Sequence, residues 1–163
     1  MIDFYCNRSY ISLCKSLTKL SNLDSEGEMN QIVRRLGMVF SAGALGGLVN
    51  SLAVWFFGAK GITASLGVNM APHLTASWLY PRIVWGGIFG ALFLVPILRG
   101  SIFWRGLLWS LGPTAVQLLV VFPTKAGKGM MGFELGTLTP VFVLFFNFVW
   151  GFFAALWLTA TRD

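Results

Sequence analysis

Charge is what this chain has least of. Asp, Glu, Lys and Arg together make up 11% of its 163 residues, where a soluble domain carries about 25%. That is too little charge to cover a water-facing surface, so composition excludes a soluble globular fold. Acidic residues number six and histidine one, His73, which leaves few groups from which to build a carboxylate pair, a catalytic triad or a metal cluster. The two cysteines, Cys6 and Cys14, match no metal-site spacing and read as free thiols in an N-terminal tail. No metal and no cofactor is expected.

Apolar side chains fill the gap: 56% of the chain is hydrophobic, with 15 Phe and 7 Trp. At roughly 20 apolar residues per crossing, this length accommodates about four spanning helices and no second domain. The expected fold class is an all-α integral membrane protein, a four-transmembrane-helix bundle. In a soluble protein the net charge of +6 would point to nucleic acid. Here Lys and Arg sit beside apolar runs, where they set orientation and meet anionic headgroups. The expected partners are membrane lipids, with a homo-oligomer or another membrane protein as further candidates, and no nucleic acid.

Residues 1–28 stand apart, being polar and holding both cysteines and four of the six acidic residues. From Met29 the chain reads as the start of a bacterial membrane protein: a short polar lead, Arg34 and Arg35, then an apolar run. On that reading 1–28 is an upstream mis-start and 29–163 a single membrane domain. The alternative is a genuine cytoplasmic tail with a short amphipathic helix, since Tyr10, Ile11, Leu13, Leu17 and Leu20 recur at helical spacing. A secretory signal peptide does not fit, because the apolar run is too long and no small-residue cleavage site stands out.

The spans are expected near 36–57, 78–98, 102–122 and 139–161. Pro81 and Pro140 suit first helical turns, where a missing N–H costs nothing. Arg105, near a span end, is placed to snorkel toward headgroups. With the N-terminus inside, Arg34, Arg35, Arg99, Arg105 and Arg162 are cytoplasmic and Lys60, Arg82, Lys125 and Lys128 are outside, five against four. Arg8, Lys15 and Lys19 of the tail make it eight against four, which favours both termini in the cytoplasm of a bacterium's inner membrane. The loops 58–82 and 123–136 then share one side.

Gly43, Gly47 and Ser51 recur every four residues in the first span, as do Gly86 and Gly90 in the second. Lipid gives helices no hydrophobic reason to associate, so small residues that admit close backbone approach are expected to pack these faces together, or to form a homodimer. Asn50, Gln117 and Asn147 are the strongly polar intramembrane residues. A side-chain amide in hydrocarbon needs a partner, so the three are expected to face the bundle interior and bond to one another or to backbone freed by Pro113. They read as interhelical glue or as the lining of a substrate path. No ionisable residue falls in the middle of a predicted span, which argues against a proton-driven pump.

His73 and Glu134, on the shared loop face, are the weak catalytic candidates, the minimum for a base with an orienting partner. The stretch Gly127-Lys128-Gly129-Met130-Met131-Gly132 satisfies G-x-G-x-x-G but lies between two membrane helices, outside any βαβ unit, so the dinucleotide mechanism fails. It reads as a flexible turn, or as a backbone nest where Lys125 and Lys128 meet a lipid phosphate.

Residues 105–153, with R-G-L-L at the start, Gln117-Leu118 mid-span, Phe122-Pro123 leaving the helix, a glycine-rich loop and a later aromatic-glycine pair, resemble the final helix hairpin of small bacterial inner-membrane proteins similar to the YagU group. The resemblance implies an inner-membrane location and no catalytic residue. The function expected from the residues is a non-enzymatic structural or interaction component of a membrane assembly. The alternatives are a channel or transporter subunit whose path passes the three amides, and an envelope- or lipid-directed enzyme using His73 and Glu134.

Overall fold

A computed structural model describes the backbone of residues 2–98 and 100–161 and the side chains of 27–98 and 100–161. The expectations resting on Cys6, Cys14, Arg8, Lys15, Lys19, Arg99 and Arg162, and on the character of the tail, fall outside the described side chains. Among the described residues every regular element is helical. The chain divides into two compact units, 1–36 and 37–163. In the first, the side chains of 27–36 are exposed.

Helix α1 runs Ile2–Ala59 and a four-residue turn, α2, covers Ile62–Ser65. Helix α3 spans Ala76–Phe89 and tightens into a 3-10 helix, Gly90–Leu94. Helix α4, Ile102–Val116, continues as a π-helix over Gln117–Ala126. A short 3-10 segment, Met130–Leu135, leads to α5, Thr139–Ala160.

Three stretches are long and apolar enough to cross a membrane: Gly27–Ala59, Ile102–Ala126 and Thr139–Ala160. The predicted second span, 78–98, is not among them. Its α-helix ends at Phe89 because Gly86, Gly87 and Gly90 favour helix weakly. Pro96 then forces Val95 into extended backbone, φ −71° and ψ 123°, as the residue before a proline prefers. The start also differs from expectation. Thr75 caps the helix in extended conformation, so Pro81 lies at the sixth helical position instead of the first turn, and Arg82 belongs to the helix instead of the loop. The third helix outruns its predicted end at 122 and stops at Gly127, whose φ of 58° is left-handed and cheap only for glycine.

Helices α4 and α5 form an antiparallel pair closed by Gly106 and Gly151. A Cβ on Gly106 would stand 2.8 Å from the Phe152 nitrogen, and one on Gly151 would overlap the Gly106 carbonyl. Buried side chains gather in two clusters. One holds Val39, Ala42, Phe93, Trp150, Ala154, Ala155 and Leu158; the other holds Leu118, Phe122 and Val143 with Met70, Met131 and Leu135 packed on it. Along α5 the second cluster ends at Val143 and the first begins at Trp150, and Asn147 lies between them.

Arg105 does not snorkel. It is 4% exposed, donates from Nη2 to the Phe93 carbonyl at 3.0 Å and lies over the Phe93 ring at 5.0 Å. The end of the 3-10 helix supplies that carbonyl, since the last carbonyls of any helix lack an internal partner.

Candidate functional site

The site begins with a seam of small residues. Gly43, Gly47 and Ser51 lie four apart on α1, and Arg82 and Gly86 on α3 and Gly90 just past its end lie four apart, so each set shares one helix face. The two faces meet antiparallel. A Cβ on Gly86 would stand 2.7 Å from the Gly43 carbonyl oxygen and 3.0 Å from Gly47 Cα, and one on Gly47 would stand 2.7 Å from the Arg82 carbonyl oxygen. Backbone contact this close draws the last member of the α3 row, Arg82, onto Ser51. Its Nε donates to Ser51 Oγ at 3.0 Å and its Nη2 to Asn50 Oδ1 at 3.0 Å. Its guanidinium also lies 4.7 Å over the ring of Trp78, one turn earlier on the same face.

From Arg82 the hydrogen bonds have a direction. A guanidinium only donates, so Asn50 accepts through Oδ1 and must turn its Nδ2 outward. Nδ2 donates to Asn147 Oδ1 at 3.2 Å. Asn147 in turn donates from Nδ2 to Thr114 Oγ1 at 3.1 Å and to Gln117 Oε1 at 3.4 Å. Thr114 passes its own hydrogen to the Ser110 carbonyl at 2.7 Å. One charge on α3 therefore orients amides on α1, α5 and the start of the π-helix. Asn147 is the ninth residue of α5, roughly 12 Å along it at 1.5 Å per residue, so the chain of bonds crosses the bundle far from either helix end. Trp150, one turn further on, ties α5 to α1 by donating from Nε1 to the Gly43 carbonyl at 2.9 Å.

The atoms left over are all donors. Arg82 Nη1 and the Nε2 amide of Gln117 take no partner among the described residues, and none of the groups around Arg82 is acidic. Both residues line two cavities. The first, of about 330 Å³, reaches the loop face through Asn69, Met70, Ala71 and Pro72. The second, of about 410 Å³, is a groove between α3, with Trp85 and Phe89, and the α4 and π-helix wall, with Val116 and Val120; Asn50 and Asn147 lie at its base and Lys125 at its edge. A half-buried cation with no acidic partner among the described residues, lining the same cavities as a second unpartnered donor, is suited to hold an anion.

The three predicted amides thus meet in one network. Pro113 plays a smaller part in it than its position implied: Thr114 bonds to the Ser110 carbonyl and Gln117 accepts from Asn147, so neither takes up the carbonyl the proline frees. His73 and Glu134 are both exposed, and no hydrogen bond or ion pair joins them. Lys128 is exposed within the glycine-rich loop, whose amides are largely committed: Lys128 N donates to the Phe122 carbonyl, Gly132 N to Gly129 and Glu134 N to Lys128. Gly132 has φ 74°, and a Cβ there would press into the Phe122 ring at 2.6 Å. The loop is a folded cap on the second apolar cluster, joined to the other loop by Asn69 N donating to the Leu135 carbonyl at 2.7 Å. Among the described residues no three His, Cys, Asp or Glu come together, and the network around Asn147 is built from amides, hydroxyls and the Arg82 guanidinium.

Arg82 is the residue that the sequence reading missed, because it was counted with the loop charges. The signal was present: continuing the four-residue row Gly90, Gly86 by one step reaches Arg82, and Trp78 lies one step beyond. Comparison of the chain with protein-family models, with curated proteins and with solved structures gives no match.

Proposed function

We propose that the protein is a channel or transporter subunit of a bacterial inner membrane that receives an anion at Arg82. The observation carrying this reading is that Arg82 and Gln117, each with a donor unpartnered among the described residues, line both cavities. A network serving only as glue has no need of an unneutralised cation, since hydrogen-bonded amides alone hold helices together, and ionisable groups at membrane depth are costly enough to mark substrate paths. The fourth span of this reading is α3 with its extension. Fourteen α-helical residues at 1.5 Å and five 3-10 residues at 2.0 Å reach roughly 31 Å, the thickness of the hydrocarbon core. With Arg82 and Arg105 both within the helices, the Lys and Arg tally becomes seven against three, which supports cytoplasmic termini.

The test is reconstitution of the full chain in liposomes with a panel of anions: inorganic phosphate, acetate, and fluorescent phosphatidylglycerol scored for transfer between leaflets. At least one moves in the wild type. Arg82→Gln, which can still hydrogen-bond Asn50 and Ser51, lowers that movement by about tenfold or more, the worth of a charge-assisted bond, and Arg82→Lys restores part of it. Movement of none of the three, or movement indifferent to Arg82→Gln, overturns the reading.

A further inference from the structure

Resting on that reading, we propose that the anion is a lipid: the groove between α3 and α4 seats one anionic phospholipid, with its phosphate between Arg82 and Lys125 and an acyl chain along the apolar wall.

Three features separate this from a site for a small soluble anion. The groove is mostly apolar. Trp85 and Phe89 face Val116 and Val120 across it, and these residues offer a hydrated ion nothing, while an acyl chain gains from each methylene it buries there. The groove also opens sideways. Trp85 and Val120 at its rim are 54% and 51% exposed, on the helix surfaces that lipid tails cover. Finally, its two cations sit at different depths: Arg82 is held in place by Ser51 and Asn50, and Lys125 is exposed near the end of the π-helix. A phosphate between them meets the fixed Nη1 group of Arg82 on one side and a mobile ammonium on the other, two charge-assisted donors of the kind phosphate takes.

The wide π-helical turn contributes to the shape. It begins at Gln117, and such turns occur often at functional sites. Gln117, Val120, Val121, Thr124 and Lys125 all line the groove, so the π segment presents one continuous strip from the polar base to the outer cation. A volume of about 410 Å³ lies at the low end for ligand sites. It holds a head group and the upper part of one chain, and the remainder of the lipid stays in the bilayer.

The experiment is native mass spectrometry of the full chain in detergent, titrated with phosphatidylglycerol and, separately, with phosphatidylcholine. Thermal unfolding with added inorganic phosphate runs in parallel. One phosphatidylglycerol is retained, and phosphatidylcholine binds about tenfold more weakly or less, because its choline offsets the phosphate charge. Arg82→Gln lowers phosphatidylglycerol affinity by about tenfold or more. Val120→Trp, which fills the groove and leaves Arg82 in place, lowers it comparably while the phosphate-induced thermal shift remains. Val116→Phe provides a second way of filling the groove should Val120→Trp fold poorly. Equal retention of the two lipids, or phosphatidylglycerol binding unchanged in both groove-filling variants, overturns the lipid assignment. If phosphate shifts unfolding in an Arg82-dependent way and no lipid is retained, the lipid inference falls and the anion reading stands. If neither binds, both fall.

Discussion

Helix α3 has two sides that differ in one respect, the size of the residues facing a neighbour. Toward α1 it presents Gly86 and, just past its end, Gly90, and the backbones touch: a Cβ on Gly86 would stand 2.7 Å from the Gly43 carbonyl oxygen and 3.0 Å from Gly47 Cα, and one on Gly90 would overlap the Val39 carbonyl. Toward α4 it presents Trp85 and Phe89 against Val116 and Val120, and a groove of about 410 Å³ remains. The hydrophobicity of the two sides is not what separates them, since lipid would wet either. Close approach in a bilayer comes from what can be removed from between two helices. Glycine removes everything, whereas a bulky wall holds the helices apart and leaves room. Arg82 stands where the closed seam ends and the open groove begins, held by the first and exposed to the second.

The strongest way to break the contrast is Gly86→Leu. Its side chain has only backbone to displace, and backbone cannot rotate away, so the seam has to part. The expected loss is about 3 kcal/mol or more, beyond ordinary overpacking, or no folded protein at all, read from tryptophan-monitored unfolding in mixed micelles. A variant as stable as the wild type would show that α1 and α3 do not depend on this contact.

Asn147→Leu tests the junction between the two sides. It removes the bonds to Asn50, Thr114 and Gln117 together. Hydrogen bonds within membranes average about 0.6 kcal/mol each, so the expected cost is about 2 kcal/mol, again from unfolding curves. Because Asn50 loses the partner that orients its amide, Arg82 should also become less fixed, which broadens the side-chain Nε resonance of Arg82 in nuclear magnetic resonance spectra.

Val120→Trp sharpens the contrast from the open side. The groove takes the larger ring, so stability should stay within about 0.5 kcal/mol of the wild type, as for a surface substitution without a special contact. A cost near that of Gly86→Leu would mean that the two sides of α3 are equally close packed.

Much of the scaffold was legible in sequence order. The four-residue glycine rows identified the seam, and the lone amides in apolar runs identified the polar core, because lipid penalises an unpartnered amide wherever it stands. The limits of α3 were misjudged for a local reason. Pro81 is compatible with a first turn, and only Thr75 adopting extended backbone starts the helix at Ala76 and leaves Pro81 at its sixth position. The catalytic candidates were named for their chemistry alone, and the structure shows His73 and Glu134 both exposed without a bond between them.

Composition by itself determined that this chain is apolar, helical and suited to a membrane, because 11% charged residues cannot solvate a surface and an isolated span must satisfy its own backbone. Spacing determined which helix faces meet, because a four-residue repeat keeps small residues on one side of a helix. Only the tertiary structure decided that a cation completes the glycine row, that three amides from separate helices take their orientation from it, and that the cation lines a cavity. Those facts depend on how α1, α3, α4 and α5 lean together, and a hydrogen bond between residues 97 positions apart, Asn50 and Asn147, leaves no trace in the order of the chain.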